Sequence, residues 1–303
     1  MGAPPNATRL PLVRTTTVIP NSAAGRRERP NDSGHTGDPA NAVGHRCRTA
    51  QTPQVPTTLV TGVSRRKSIG FAVARRLLDR GDRVVVHSWA PHDAAQPWGG
   101  DDLAAVLAEL GDPPHVSTDL ADPQAPADLV SAAREAVGPL SALVATHARS
   151  ADGRLADVTA AEVDLTFAVN ARGSLLLTQA FAAQHEPAAG PGSVVLFTSG
   201  QHRGPMAGEL PYAISKGAIQ AMTLSLADAL IDADITVNCV NPGPTDTGWA
   251  GPQLAETVRR VMPRGRWNAP EEAAAVVAWL TGPDARSVTG QTIDAEGGFR
   301  RWA

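Results

Sequence analysis

Tyr212, the only tyrosine of the chain, stands four residues before Lys216 in Tyr212-Ala213-Ile214-Ser215-Lys216. On a helix, residues four apart share a face. Ser199 lies thirteen residues upstream, just after the apolar run Val194-Val195-Leu196-Phe197. A hydroxyl at a strand end, facing a phenol and an ammonium on the next helix, is a constellation for proton transfer. A free tyrosine, with a pKa near ~10, is a poor base at neutral pH. A neighbouring cation favours its phenolate and is expected to lower that value. Taken singly, each residue has a plainer use, Tyr212 as a packed aromatic and Lys216 as a solvated helix lysine. The elements that position them decide between these uses.

From Thr57 onward, short apolar runs alternate with longer amphipathic ones. The pattern predicts strands over 58–61, 83–87, 115–118, 142–145, 193–198, 235–240 and 289–293. It predicts helices over 68–79, 101–110, 125–137, 160–185, 209–231 and 271–280, the second with Asp101 or Asp102 as N-cap. Segment 246–268, broken by Pro252, Pro263 and Gly265, reads as irregular. Apolar strands alternating with helices imply a single α/β domain over 56–303: a doubly wound parallel sheet of about seven strands, with helices on both faces. Such a sheet binds ligands beyond the carboxyl ends of its strands, where the strand order reverses.

Composition narrows the function classes. The chain has 303 residues, 42% of them hydrophobic and 4% aromatic, enough for a substantial core. A net charge of −3 gives no electrostatic reason to expect nucleic acid. No apolar run approaches the roughly 20 residues that span a bilayer, so no membrane association is expected. Cys47 and Cys239 fall in unlike regions, which argues against a disulfide and for a cytoplasmic location. No metal-ligand pattern is found. Residues 1–55 are rich in Pro, Asn, Thr, Gly and Arg, without a sustained apolar period. They are expected to form a disordered N-terminal extension, and no signal-peptide hydrophobic region is found in them.

The first strand runs into Thr61-Gly62-Val63-Ser64-Arg65-Arg66-Lys67-Ser68-Ile69-Gly70 and then a helix. A glycine permits the tight turn, and a helix N-terminus offers free N–H groups to a phosphate. Two glycines before a helix also occur in plain turns. The position in the first βα unit raises the phosphate reading.

Several such features occur together, in a fixed order. Thr61-Gly62 with Gly70, Asp119-Leu120, Asn170, Ser199, Tyr212 with Lys216, the segment Asn241-Pro242-Gly243-Pro244-Thr245-Asp246-Thr247, Gly290-Gln291 and Asp294 to Gly298 follow one another along 57–303. In this the chain resembles the short-chain dehydrogenase/reductase family of NAD(P)-dependent Rossmann-fold oxidoreductases. The resemblance implies that Ser64, Arg65, Arg66, Ser68, Ile69, Ser88, Thr146 and the Pro242, Gly243, Thr245 and Thr247 segment join the loop in holding the cofactor. It implies that Asp119 and Leu120 contact adenine, and that Lys216 also holds the nicotinamide ribose. Asn170, Ser199, Tyr212 and Lys216 become the catalytic set. Ser199 bonds the substrate oxygen, Tyr212 transfers the proton, and Asn170 holds a water that links Lys216 to solvent. Ser199, Gln201 and Tyr212 would contact the substrate, with His202, Met206 and Trp249 as further pocket residues.

Two departures stand out. The loop is two residues longer than the usual Thr-Gly-x-x-x-Gly-x-Gly, with Ser68 in place of the middle glycine, and is similar to that of the enoyl-thioester reductase branch. That branch has six residues between its Tyr and Lys, whereas three separate Tyr212 from Lys216. The spacing governs chemistry and favours ketone over enoyl reduction, with a 3-oxoacyl-thioester reductase as the nearest label. The second departure is Ala145-Thr146-His147-Ala148 in place of Asn-Asn-Ala-Gly; His147 is expected to pack rather than react. Strand two ends in Ser88, without the acidic residue that would repel a 2′-phosphate, and Arg65 and Arg66 stand near it, so NADP(H) is expected over NAD(H). The rival readings are an enoyl-thioester reductase and a non-catalytic nicotinamide sensor. The family implies a homodimer or homotetramer acting on a small-molecule carbonyl or alcohol. Arg259, Arg260, Arg264 and Arg266 either attract an acidic group or form a solvated face.

Overall fold

The structure, a computed structural model, describes residues 55–150, 152–186 and 190–302. Apart from Val55, the extension expected over 1–55 lies outside the described residues. Seven parallel strands form one sheet: β1 Thr57–Thr61, β2 Arg83–Ser88, β3 His115–Ser117, β4 Ala142–Ala145, β5 Gly192–Phe197, β6 Ile235–Asn241 and β7 Thr292–Asp294. Their order is β3-β2-β1-β4-β5-β6-β7, so the winding reverses between β1 and β4. This is the expected Rossmann-type architecture.

Alternating side chains on each strand supply two cores. Leu59, Val85, Leu143 and Val194 pack with Leu129, Leu177, Phe181 and Ile219 on one face. Val60, Val86, Val144 and Val195 pack with Val73, Leu77, Ala274 and Val277 on the other. The helices of the second face are α1 Ile69–Arg80 and, later in the chain, α9 Pro270–Leu280. Ser68 caps α1, its Oγ accepting from Phe71 N at 3.0 Å, and Gly81 ends it in the left-handed region at φ 95°.

Between them the chain forms α2 Ala90–Ala94, α3 Leu103–Glu109, α4 Ala125–Val137, α5 Ala160–Phe167, α6 Gly173–Gln184, α7 Leu210–Leu230 and α8 Pro252–Val261. Asp102 is the N-cap of α3. The helix expected over 160–185 is divided by a π-turn, Ala168–Arg172. A π-turn disturbs the helical ladder, and side chains meet its carbonyls. His147 Nε2 lies 3.1 Å from Val169 O, and Ser174 Oγ donates to Asn170 O at 2.7 Å. Helix α8 falls in the segment expected to be irregular; its proline stands in the first turn, where no N–H partner is needed. Strand β7 starts three residues later than expected because Gly290 turns the chain at φ 71°. No described helix is long and apolar enough to cross a membrane. Cys239 is a free, buried cysteine.

Candidate active site

A cleft of about 1130 Å³ opens over the carboxyl ends of the central strands, at the reversal between β1 and β4. Ser199, Tyr212 and Lys216 meet on its wall. Ser199 leaves the end of β5, and Tyr212 lies in the first turn of α7, with Pro211 just before it. The Ser199 hydroxyl lies near enough to the Tyr212 phenol to favour its ionised form. Lys216 is buried, its Nζ donating to Phe197 O at 3.0 Å and lying 5.6 Å from the centre of the Tyr212 ring. Thr198 Oγ1 donates to Lys216 O at 2.8 Å, fastening the strand end to the helix.

The electrostatics differ from the sequence expectation of a lowered phenol pKa. Burial pushes Tyr212 up to about 12, the Glu209 carboxylate adds to the rise, and the nearby Ser199 hydroxyl offsets part of it. Burial also lowers Lys216 to about 8. The lysine is directed at a main-chain carbonyl, while the phenol has a carboxylate neighbour. Tyr212 is therefore held as the protonated phenol in the free protein.

Asn170 sits at the π-turn with no solvent exposure. Its Oδ1 accepts from Arg149 N at 2.6 Å, and its Nδ2 donates to Arg149 O at 3.0 Å and Ser215 Oγ at 2.9 Å. Ser215 Oγ in turn donates to Tyr212 O at 2.7 Å. The expected water-holding amide is thus committed to fastening α7 and the loop after β4. His147 does the same one layer below. Its Nε2 faces the Val169 carbonyl and so carries the proton, leaving Nδ1 to accept from Thr61 Oγ1 at 2.8 Å. Thr146 Oγ1 donates to Thr61 O. Burial keeps this imidazole neutral, with its pKa lowered to about 3. His87, buried with Nε2 on Thr118 O at 2.9 Å, is lowered to about 4 for the same reason.

Of the residues expected to hold a cofactor, Gly62, Ser64, Arg65, Ser68, Ile69 and Gly70 line one end of the cleft. Asp119, Leu120 and Thr146 line its floor, and Pro242, Gly243, Thr245 and Thr247 a side wall. Gly62 has φ 79°, and a Cβ there would lie 2.8 Å from His147 N, so the turn needs a glycine on both counts.

Thr61, Ser88, Arg66, Gln201 and His202, expected at the cofactor or the substrate, do not line the cleft. Thr61 lies behind the wall, held by His147. Ser88 Oγ is tied to His115 Nε2 at 2.8 Å and is fully buried. Arg66 turns outward to Glu109 and Asp101. Gln201 Nε2 donates to Thr198 Oγ1 at 3.0 Å and Gln220 Oε1 at 3.1 Å, away from the cleft. His202 pairs with Asp294 at 3.0 Å. Met206 and Trp249 do line the cleft. The four arginines of segment 246–268 are paired, Arg259 and Arg260 with Glu256, Arg264 and Arg266 with Glu272.

The cleft is also lined by residues with no sequence signal, Trp89, Asp93, Trp98, Phe299 and Trp302, and by Glu209. Asp93 accepts from Ser64 Oγ and lies 3.9 Å from Arg65, whose guanidinium also reaches Thr247 O. The position of Glu209, one turn before Tyr212, was the available signal for that residue. Among the described residues, no group of three His, Cys, Asp or Glu side chains is placed to hold a metal ion.

The sequence model of the family described as enoyl-(acyl carrier protein) reductase matches residues 62–300. An uncharacterized oxidoreductase of Bacillus subtilis, YjdA, is 34% identical over 249 residues, covering 82% of this chain and 98% of its own. Human dehydrogenase/reductase SDR family member 4 is 32% identical over 239 residues, covering 76% of this chain and 83% of its own. The crystal structure of BdcA in complex with NADPH superposes with a TM-score of 0.69 at 32% identity, over 80% of this chain and 94% of that one. With the sheet order, the cleft and these relatives together, the chain belongs to the short-chain dehydrogenase/reductase family and is an NAD(P)-dependent oxidoreductase.

Proposed function

We propose that the enzyme uses NADP(H) to interconvert a ketone and a secondary alcohol, with Tyr212 as acid and base, in a domain spanning 56–303. The observation that carries this reading is the meeting of Ser199, Tyr212 and Lys216 on the wall of the cleft, with Lys216 one helical turn from Tyr212 and its Nζ 5.6 Å from the centre of the phenol ring. The residues fit a nicotinamide dinucleotide. The Cβ-less turn at Gly62 leads into the capped N-terminus of α1, and the cleft exceeds the ~300–1,000 Å³ of drug-sized pockets. Gly62, Ser64, Ser68 and Ile69 would hold the diphosphate at that helix end. Asp119 and Leu120 would border the adenine, and the Pro242–Thr247 segment the nicotinamide. When bound, the cofactor supplies or accepts a hydride. Ser199 donates a hydrogen bond to the carbonyl oxygen and orients it. Tyr212 gives that oxygen its proton in reduction and takes it back in oxidation. Lys216 contributes a positive charge that favours the phenolate once it forms. Asn170 acts as a positioning residue through Ser215.

The NADP(H) preference rests on Arg65, which lines the cleft beside the glycine loop, and on the NADPH bound in BdcA. Asp93 balances part of its charge. Arg65→Ala is expected to raise the NADP+ dissociation constant roughly 10-fold, the value of one bond to a charged group, and that of NAD+ less than about twofold. Arg66→Ala is expected to change neither. Fluorescence titration measures both, and tighter NAD+ than NADP+ binding by the unaltered protein would refute the preference.

The enoyl reading is disfavoured by the one-turn Tyr212–Lys216 spacing. Comparing NADPH oxidation on ketones and on enoyl thioesters tests the choice, with ketones expected to react. Association into a homodimer or homotetramer belongs to the same proposal. Leu165, Phe167, Ile214 and Leu224 on α5 and α7 are at least 40% exposed, an apolar surface suited to a second copy.

A further inference from the structure

We propose, on the ketone reading above, that the substrate end of the cleft takes a bulky apolar carbonyl compound that is neutral or cationic, and that Glu209 is the residue that turns anionic compounds away. The apolar part is built by segment 246–268 and the C-terminal segment. Trp249 meets Trp267 edge-on, centroids 5.9 Å apart at 75°. The Trp267 indole N–H is used on Ala255 O at 2.9 Å, so that ring offers carbon surface to the cleft. Leu254 and Val258 of α8 and Phe299 extend the same wall.

Charge decides the rest. The arginines at this end are already paired. Arg149 holds Glu162 through Nε at 3.1 Å and Nη2 at 2.9 Å. Arg301 holds the buried Glu296 through both terminal nitrogens. Each thus has much of its charge balanced by its own carboxylate. Glu209 lines the cleft three residues before Tyr212, and its carboxylate has no hydrogen-bond or ion-pair partner among the described residues. Its main chain is fixed, N to Met206 O at 3.1 Å and bridged to Gly153. Burial raises the Glu209 pKa and the Asp152 carboxylate adds to the rise, while Glu209 in turn raises that of the neutral Tyr212 phenol, so neither neighbour supplies a positive charge. An anion entering here would meet an uncompensated carboxylate in a partly desolvated site, whereas an ammonium or a hydrogen-bond donor would satisfy it.

Three matched aryl ketones, differing only in a remote methyl, ammonium or carboxylate group, test this with NADPH at pH 8. The ammonium compound is expected to exceed the carboxylate in kcat/KM by roughly 10-fold or more. In Glu209→Gln that ratio is expected to fall to within about threefold of one, the methyl compound serving as the control for folding and for any general effect on Tyr212. If the ketones are reduced but the ratio is near one, or survives in Glu209→Gln, the charge selection is wrong while the ketone reading stands. If none is reduced, the ketone reading fails. Calorimetric affinities of the three compounds for the unaltered protein with NADP+ then decide the selection alone, and equal affinities would overturn it.

Discussion

Tyr212→Phe is expected to lower kcat for ketone reduction by about 10²–10⁴-fold, the usual worth of a positioned general acid. The NADPH dissociation constant is expected to stay within about twofold, since the phenol contributes an acid rather than the bulk of a cofactor contact. The ring itself would remain packed beside Lys216, whose Nζ bond to Phe197 O does not involve the hydroxyl. Burial and Glu209 hold the phenol protonated, with a pKa pushed up to about 12 in the free protein. Reduction needs that proton and should show no loss through Tyr212 as pH rises across the neutral range. Alcohol oxidation needs the phenolate and should quicken as pH rises. Steady-state rates in both directions, with a cofactor titration on the same preparation, check the set. Retained reduction in Tyr212→Phe would reject the role.

His147→Ala is expected to cost about 3–5 kcal/mol of folding stability. The Val169 carbonyl and the Thr61 hydroxyl would each lose a buried partner, at about 1–3 kcal/mol apiece, and a cavity would be left. That is a large share of the ~5–15 kcal/mol typical of a domain. A pH signature accompanies it. The folded protein keeps His147 neutral to about pH 3, while the unfolded chain protonates near the ordinary value of 6.5. The unfolded state therefore binds more protons as pH falls below 6.5, and stability declines through that window towards pH 3. The slope is ~1.4 kcal/mol per pH unit for this one group, and His87 adds a similar slope down to about pH 4. Urea unfolding between pH 7 and 4 should show the variant weaker at pH 7 and less steep below it. His147→Asn should recover part of the loss. A cost under about 1 kcal/mol with an unchanged slope would show that the imidazole is not the brace described.

These two residues also mark where sequence reasoning reached and where it stopped. Tyr212 and Lys216 were legible because helical spacing alone puts them on one face, and Ser199 because it closes an apolar strand. The sheet was legible for a similar reason: Val84-Val85-Val86 and its counterparts are apolar on both faces, as a doubly covered parallel sheet demands. His147 was read as a packing residue, but its partners were not visible, since Thr61 and Val169 come together only after β1, β4 and the π-turn are assembled. The one local mark of the π-turn is Asn170, an amide inside an Ala- and Leu-rich helix, which also reads as a helix kink.

Arg66, Ser88 and Gln201 sit at the expected chain positions, yet each side chain found a nearer partner in Glu109, His115 or Gln220. Position in the chain sets where a Cα lies, not which rotamer wins. Helix α8 was hidden by Pro252, read as a breaker when it stands in the first turn. Trp98 and Phe299 reach the cleft from segments remote in sequence, and no spacing rule connects them to Tyr212.

The central claim is that a carbonyl group is reduced and its oxygen protonated beside Ser199 and Tyr212. An α,β-unsaturated aryl ketone offers both a carbonyl and a carbon–carbon double bond to the same site. Incubated with NADPH deuterated at the transferring position, it should give an unsaturated secondary alcohol with deuterium on the carbinol carbon, located by NMR. Deuterium at the β-carbon of a saturated ketone would contradict the account.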